Sequence, residues 1–296
     1  MAFMIGALAK RSGLCMVKGV SALMAGRPAL LSAILVCGLT FWFLIPFSIN
    51  PRNTFALPQY GASLLFFIGG LLFGLGAGFN QGCSVSTLTR LAQRDIRMLA
   101  TVFGWAVGWL IFSNVSLDLS ISYRVTNYSP CAISPLIFTL CVITFITFVI
   151  HPQRRIFLTI LLFGAISTLL TQMSPEWSPS HYLQALTYTI SNPKLSSWPT
   201  LSEHLIIVLL LTGMSFGNKH SFIAITTKQF IYHCSAGILM GIGASLALGG
   251  NDAQVLFAMP ALSSGGVLAC LGMIGGIMLA LKLMALHQQR QRQVAK

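Results

Sequence analysis

Acidic residues are nearly absent: five Asp and Glu stand against 18 Lys and Arg in 296 residues, and charged residues make up only 8% of the chain. This excludes an ordinary soluble enzyme surface, where charges of both signs account for about a quarter of all residues. The seven cysteines include no CxxC pair and stand in no His–Cys pattern with zinc spacing, which argues against a disulfide framework, a dithiol redox centre and a metal site. Most of them lie in apolar runs, where a thiol reads as a small core hydrophobe. His151, His181, His204, His220 and His287 fall in loops or at span ends and His233 stands alone, so there is no pair of the kind that holds haem. No catalytic residue and no cofactor is expected.

What the chain has is apolar surface: 55% hydrophobic residues, spread over its whole length, and a mean hydropathy of +0.80. The fold class read from this is all-α, a polytopic membrane protein with one integral domain over 1–296 and about eight transmembrane helices. The spans expected are Ala29–Ile49, Gly61–Phe79, Leu99–Val115, Pro135–Ile150, Ile156–Met173, Leu205–Phe216, Phe230–Leu248 and Val267–Leu286. Residues 1–27 read as a cytoplasmic, partly amphipathic start and not as a removed signal peptide. Residues 174–202 read as a periplasmic loop with Trp177, Tyr182, Tyr188 and Trp198 as interfacial anchors. On this layout every Lys and Arg except Arg52, Arg124 and Lys194 faces one side, which places both termini in the cytoplasm and assigns the net charge of +13 to the bilayer rather than to nucleic acid.

One pattern occurs twice. Gly70, Gly74, Gly76, Ala77 and Gly82 match Gly237, Gly241, Gly243, Ala244 and Gly249 at a constant offset of 167. Small residues at such spacing let membrane helices approach closely. Here the likeness extends into a turn, after which Asn80–Arg97 and Ala253–Ser264 are too short and polar to cross. The expected halves, about 29–173 and 203–286, enter these turns from opposite sides and form inverted repeats with broken helices, a recurring way to build a solute site near the midplane.

The turns hold the candidate path residues. Gly74, Gly76 and Gly82, with Gly241, Gly243 and Gly249, clear space for a solute to reach backbone; Cys83 adds a soft sulfur at the first turn. Ser84 opens a half-helix whose first amides and dipole favour an anion. Arg90, about two helical turns on, either attracts anions or anchors a cytoplasmic end. In the second turn Gly250 stands where Cys83 does, followed by Asn251, a plausible N-cap, and Asp252, which caps or belongs to the site. Cys83 reads as a neutral thiol contacting a soft anion or as a thiolate in a covalent relay.

With these residues in view the sequence resembles the YeeE/YedE family of bacterial sulphur transporters, through GLLFGLGAGFNQGC from Gly70 to Cys83 with Arg90, and GILMGIGASLALGGND from Gly237 to Asp252. The resemblance implies an inner-membrane protein with an hourglass-like pore, a thiosulfate path past Cys83 at its waist, and a small cytoplasmic sulphur-carrier protein as partner. Members with a cysteine in the second motif have it where this chain has Gly250. The alternatives are a channel for another small solute, a membrane thiol oxidoreductase or sulfurtransferase, and a scaffolding subunit.

Overall fold

The computed structural model describes residues 1–44, 56–113, 123–127, 154–174, 177–193, 197–217 and 222–294. Among them the chain is helical except for one antiparallel ribbon, β1 (Ala56–Tyr60) against β2 (Tyr123–Asn127). Three helical stretches, Leu64–Ala92, Arg154–Thr171 and Ser264–Gln293, are long and apolar enough to cross a bilayer, and the bent pair Thr227–Leu246 with Asn251–Ala258 makes a fourth. Large apolar side chains face outward along these and the shorter helices, as at Leu162, Val208, Leu209 and Leu271. That combination is a membrane protein's. The span expected over Pro135–Ile150 and the turn at Asn50–Arg52 lie outside the described residues.

The first 44 residues form α1 (Ala2–Ser12), α2 (Met16–Met24), α3 (Ala29–Cys37) and α4 (Thr40–Leu44). Residues 1–27, expected as a partly amphipathic start, join the interior: Ile5, Ala9, Leu14, Cys15, Met16, Val17 and Val20 belong to the core, and Gly6 lets α1 press onto the backbone at Leu210. The single span from Ala29 is instead interrupted at Gly38, whose backbone lies against the carbonyl of Val255.

The centre is built from α5 (Leu64–Asn80), α6 (Ser84–Ala92), α7 (Arg97–Ser113), α8 (Arg154–Met173), α9 (Pro179–Ser191), α10 (Leu201–Ser215), α11 (Thr227–Leu246), α12 (Asn251–Ala253, continued by the π-turn Gln254–Ala258) and α13 (Ser264–Val294). Local chemistry sets several starts. Ser63 accepts from the Leu65 amide, and capping boxes pair Thr200 with Glu203 and Thr226 with Gln229. Ser178 caps α9, with Pro179 at its first position. The stretch 174–202 is therefore not simply a connecting loop, and within it Trp177 and Tyr182 are buried while Trp198 is exposed.

Glycine contacts give the helix directions. Gly70, Gly74 and Gly78 meet Ala269, Met273 and Ile277 in turn, so α5 and α13 run parallel; Gly104 and Gly108 meet Gly237 and Gly241, so α7 and α11 do too. Gly76 meets Ala236 and Met240, whereas Gly69 meets Gly243 and Ala247, so α5 and α11 are antiparallel. The contact of Gly243 with Gly69 and Phe73 mirrors that of Gly76 with Ala236 and Met240, residue for residue, at the offset of 167.

Candidate functional site

Four helix starts meet in the interior: Gly13–Cys15 ahead of α2, Gln81–Cys83 ahead of α6, Trp177–Ser178 ahead of α9, and Ala247–Gly250 ahead of α12. The second and fourth have one geometry. Gln81 and Leu248 both hold the left-handed conformation at φ 54°. Cys83 (φ −80°, ψ −178°) and Gly250 (φ −75°, ψ −176°) then occupy the same extended N-cap.

The two turns are bolted together. Asn251 Oδ1 accepts from the Ser84 amide at 3.2 Å and from the Ser84 hydroxyl at 2.6 Å. Asp252 Oδ1 lies 2.8 Å from Ser84 Oγ and 2.9 Å from Ser180 Oγ, and Oδ2 accepts from the Ser180 amide at 3.0 Å. Ser84, Asn251 and Asp252 are all buried. The side chains of the second turn thus supply partners to the first turns of α6 and α9, which would otherwise leave N–H groups unmet away from water. Two expectations change. The Ser84 amide is taken by Asn251 rather than waiting for an anion, and Gly250, not Asn251, is the N-cap of its own helix.

Beside this bolt lies a cavity of about 330 Å³ including its mouth, lined by Cys15, Cys37 and Cys83 together with Asn251, Asp252, Val85 and Phe163. The Cys15 thiol donates to Ser86 Oγ at 3.2 Å, and the Ser86 hydroxyl reaches the Cys83 carbonyl at 3.1 Å and Cys83 Sγ at 3.6 Å. Cys37 bonds its own helix, at the Ile34 carbonyl. Cys15 and Cys37 are the residues that sequence reasoning missed, having placed them among the core hydrophobes. The signal for Cys15 was the Gly13-Leu14 break before it, which parallels Gly82 before Cys83.

Asn80 was also missed as a side chain. It is fully buried, with Nδ2 donating to Thr87 Oγ1 (2.9 Å) and the Gly82 carbonyl (3.2 Å), while Oδ1 accepts from Thr101 Oγ1 (2.8 Å) and lies 2.8 Å from His233 Nδ1. This network fixes the Cys83 turn against α7 and α11.

The helix glycines do something other than expected. A Cβ on Gly74 would run into the Met273 backbone, on Gly76 into Ala236, on Gly241 into Trp105 and on Gly243 into Phe73. These glycines close helix against helix, and none of them lines the thiol cavity. Gly82 faces Ser86 and Thr87 within its own turn; Gly249, at φ 140°, faces His181. Arg90 is held in an ion-pair cluster: it bonds Asp95 Oδ2 through Nε and Nη2 at 3.1 and 2.9 Å, and Arg97 bonds the same carboxylate from the other side. Burial pushes the Asp95 carboxyl up, but Arg97 and Arg90 outweigh it and hold it below the usual carboxylate range. Arg90 is thus tied to Asp95 at the end of α6.

No curated protein matches the chain. A family model described as sulphur transport matches residues 11–156 and 216–279, more than half of the chain, and takes in Cys15, Cys37, Cys83 and the Asn251–Asp252 bolt. Three thiols gathered in the interior of an apolar helical body accord with that description, and the chain belongs to the sulphur-transport family.

Proposed function

We propose that this protein carries a small sulphur-containing anion, thiosulfate first among them, across the bacterial inner membrane through the waist where the four helix starts meet. The observation that carries the reading is the cavity lined by Cys15, Cys37 and Cys83. Thiols are weak donors with polarizable sulfur, matched to a soft terminal sulfur and poorly matched to a hard anion. Asp252 borders the same cavity, but its two oxygens are occupied by Ser84 and Ser180, which disperses its repulsion.

In this reading the halves are inverted repeats, about eight spans place both termini in the cytoplasm, and the constriction lies at the paired turns. The antiparallel run of α5 and α11, each with its own parallel partner, supports the inversion. A small cytoplasmic sulphur-carrier protein is the partner assigned to receive the cargo. The reaction is passage, with no covalent change to the anion.

Uptake of radiolabelled thiosulfate in a strain without its own thiosulfate import tests this, comparing wild type with Cys83→Ser and Cys15→Ser at matched membrane expression. The expected result is uptake by wild type and at least tenfold less in each variant. Unchanged uptake in both variants would remove the thiols from the path. No uptake of thiosulfate, sulfite or sulfide by wild type would overturn the reading.

A further inference from the structure

A second cavity, of about 430 Å³ including its mouth, lies between α1, α8 and α10 and adjoins the first: Val85, Phe163, Asp252 and Leu256 line both. Its wall is largely apolar, and most of its polar groups are accounted for. Thr171 donates to the Ser167 carbonyl, and Asp252 is held by Ser84 and Ser180. Two are not. Ser167 Oγ and Trp177 Nε1 are both buried and both without a hydrogen-bond partner among the described residues, in side chains that line this cavity. Ser167 is 5% exposed and Trp177 7%. Buried polar groups are almost always bonded, and two unbonded donors on side chains that line one cavity call for an occupant.

We infer that this cavity is an oxyanion subsite on the solute's path, in which the Ser167 hydroxyl and the Trp177 indole N–H donate to oxygens of the anion. The inference rests on the transport reading and adds a second contact to it. An indole N–H can only donate and a hydroxyl has one proton to give, so the pair suits an acceptor-rich solute. Thiosulfate has two unlike ends. Hard donors here take its oxygens, while the thiols of the adjoining cavity take its terminal sulfur. Neither donor carries a charge, so the anion is held loosely enough to leave, as conduction requires. Both residues fall between the two stretches matched by the family model.

The test is a spectrum of the detergent-solubilised full chain with ¹⁵N-indole tryptophan, the Trp177 resonance being assigned as the one lost in Trp177→Phe. Sodium thiosulfate, sodium sulfate and sodium chloride are titrated in turn. The Trp177 resonance should move saturably with the two oxyanions and not with chloride, and Ser167→Ala should weaken the thiosulfate midpoint about tenfold. In uptake, Trp177→Phe should raise KM about tenfold with the maximal rate kept within about twofold. An unmoved Trp177 resonance at saturating thiosulfate, in protein that transports it, overturns the subsite and leaves the transport reading standing; an equal response to chloride overturns it as well. A saturable oxyanion response in protein that transports nothing sinks the transport reading and overturns the subsite's place on a path along with it.

Discussion

Gly250 shares the backbone of Cys83, and nothing in that extended conformation calls for glycine. The restriction comes from a neighbour: an added Cβ would lie 2.8 Å from Asp252 Oδ1, with Ser180 Oγ at 3.3 Å and the Phe73 ring at 3.4 Å. Gly250→Ala must therefore push away the oxygen that bonds Ser84 and Ser180. Losing one hydrogen bond to a carboxylate costs about 1.5–3 kcal/mol, and the lower unfolded-state entropy of alanine offsets about 0.4–1 kcal/mol of it. The net loss is about 1–2 kcal/mol, a fall in Tm of roughly 2–8 °C. The assay is thermal unfolding in one detergent of wild type, Gly250→Ala, Asp252→Ala and the double variant. Removing the carboxylate frees the space, so alanine at 250 should cost close to nothing in the Asp252→Ala background. An equal cost in both backgrounds would refute the steric link between Gly250 and Asp252.

Two further outcomes are expected. Gly276→Ala, which drives a Cβ into the Leu71 backbone, should destabilise the α5–α13 pair by about 1–3 kcal/mol, whereas Gly275→Ala next to it, with only Leu71 Cδ1 at 4.0 Å, should be neutral or slightly stabilising; equal melting shifts would contradict the packing. The depressed carboxyl of Asp95 contributes stability that is fully present above the unfolded value of about 3.9 and is lost as pH falls through the lower folded value. Melting temperature against pH should therefore fall below pH 4 in wild type and flatten there in Asp95→Asn; parallel curves would show that the Arg90–Asp95–Arg97 cluster contributes nothing.

The paired turns were legible in the sequence because their chemistry is local. Five small residues in one register, a Gly-Cys step and a Gly-Asn-Asp run can be read without knowing what lies across from them. The purpose of the helix glycines could not: Gly74 lies beside Met273 only because α5 and α13 run parallel, and no local pattern states that. Cys15 comes to Ser86 across 71 residues, so its place at the site was invisible to composition. With α9, hydropathy prevailed over a cap. Ser178-Pro179 is a readable helix start, yet the surrounding Ser, Pro and Trp read as a loop, and only burial of Trp177 and Tyr182 shows that the segment belongs to the core.

The bolt between Ser84 and Asn251 also sets a schedule for biogenesis. Its two sides are 167 residues apart, and translation at about 5–20 residues per second separates their emergence by roughly 8–33 s. During that interval the Ser84 amide and hydroxyl lack their Asn251 partner, in a medium that offers few others. Variants at Asn251 should consequently be seen first as lost yield, before any defect in passage can be measured.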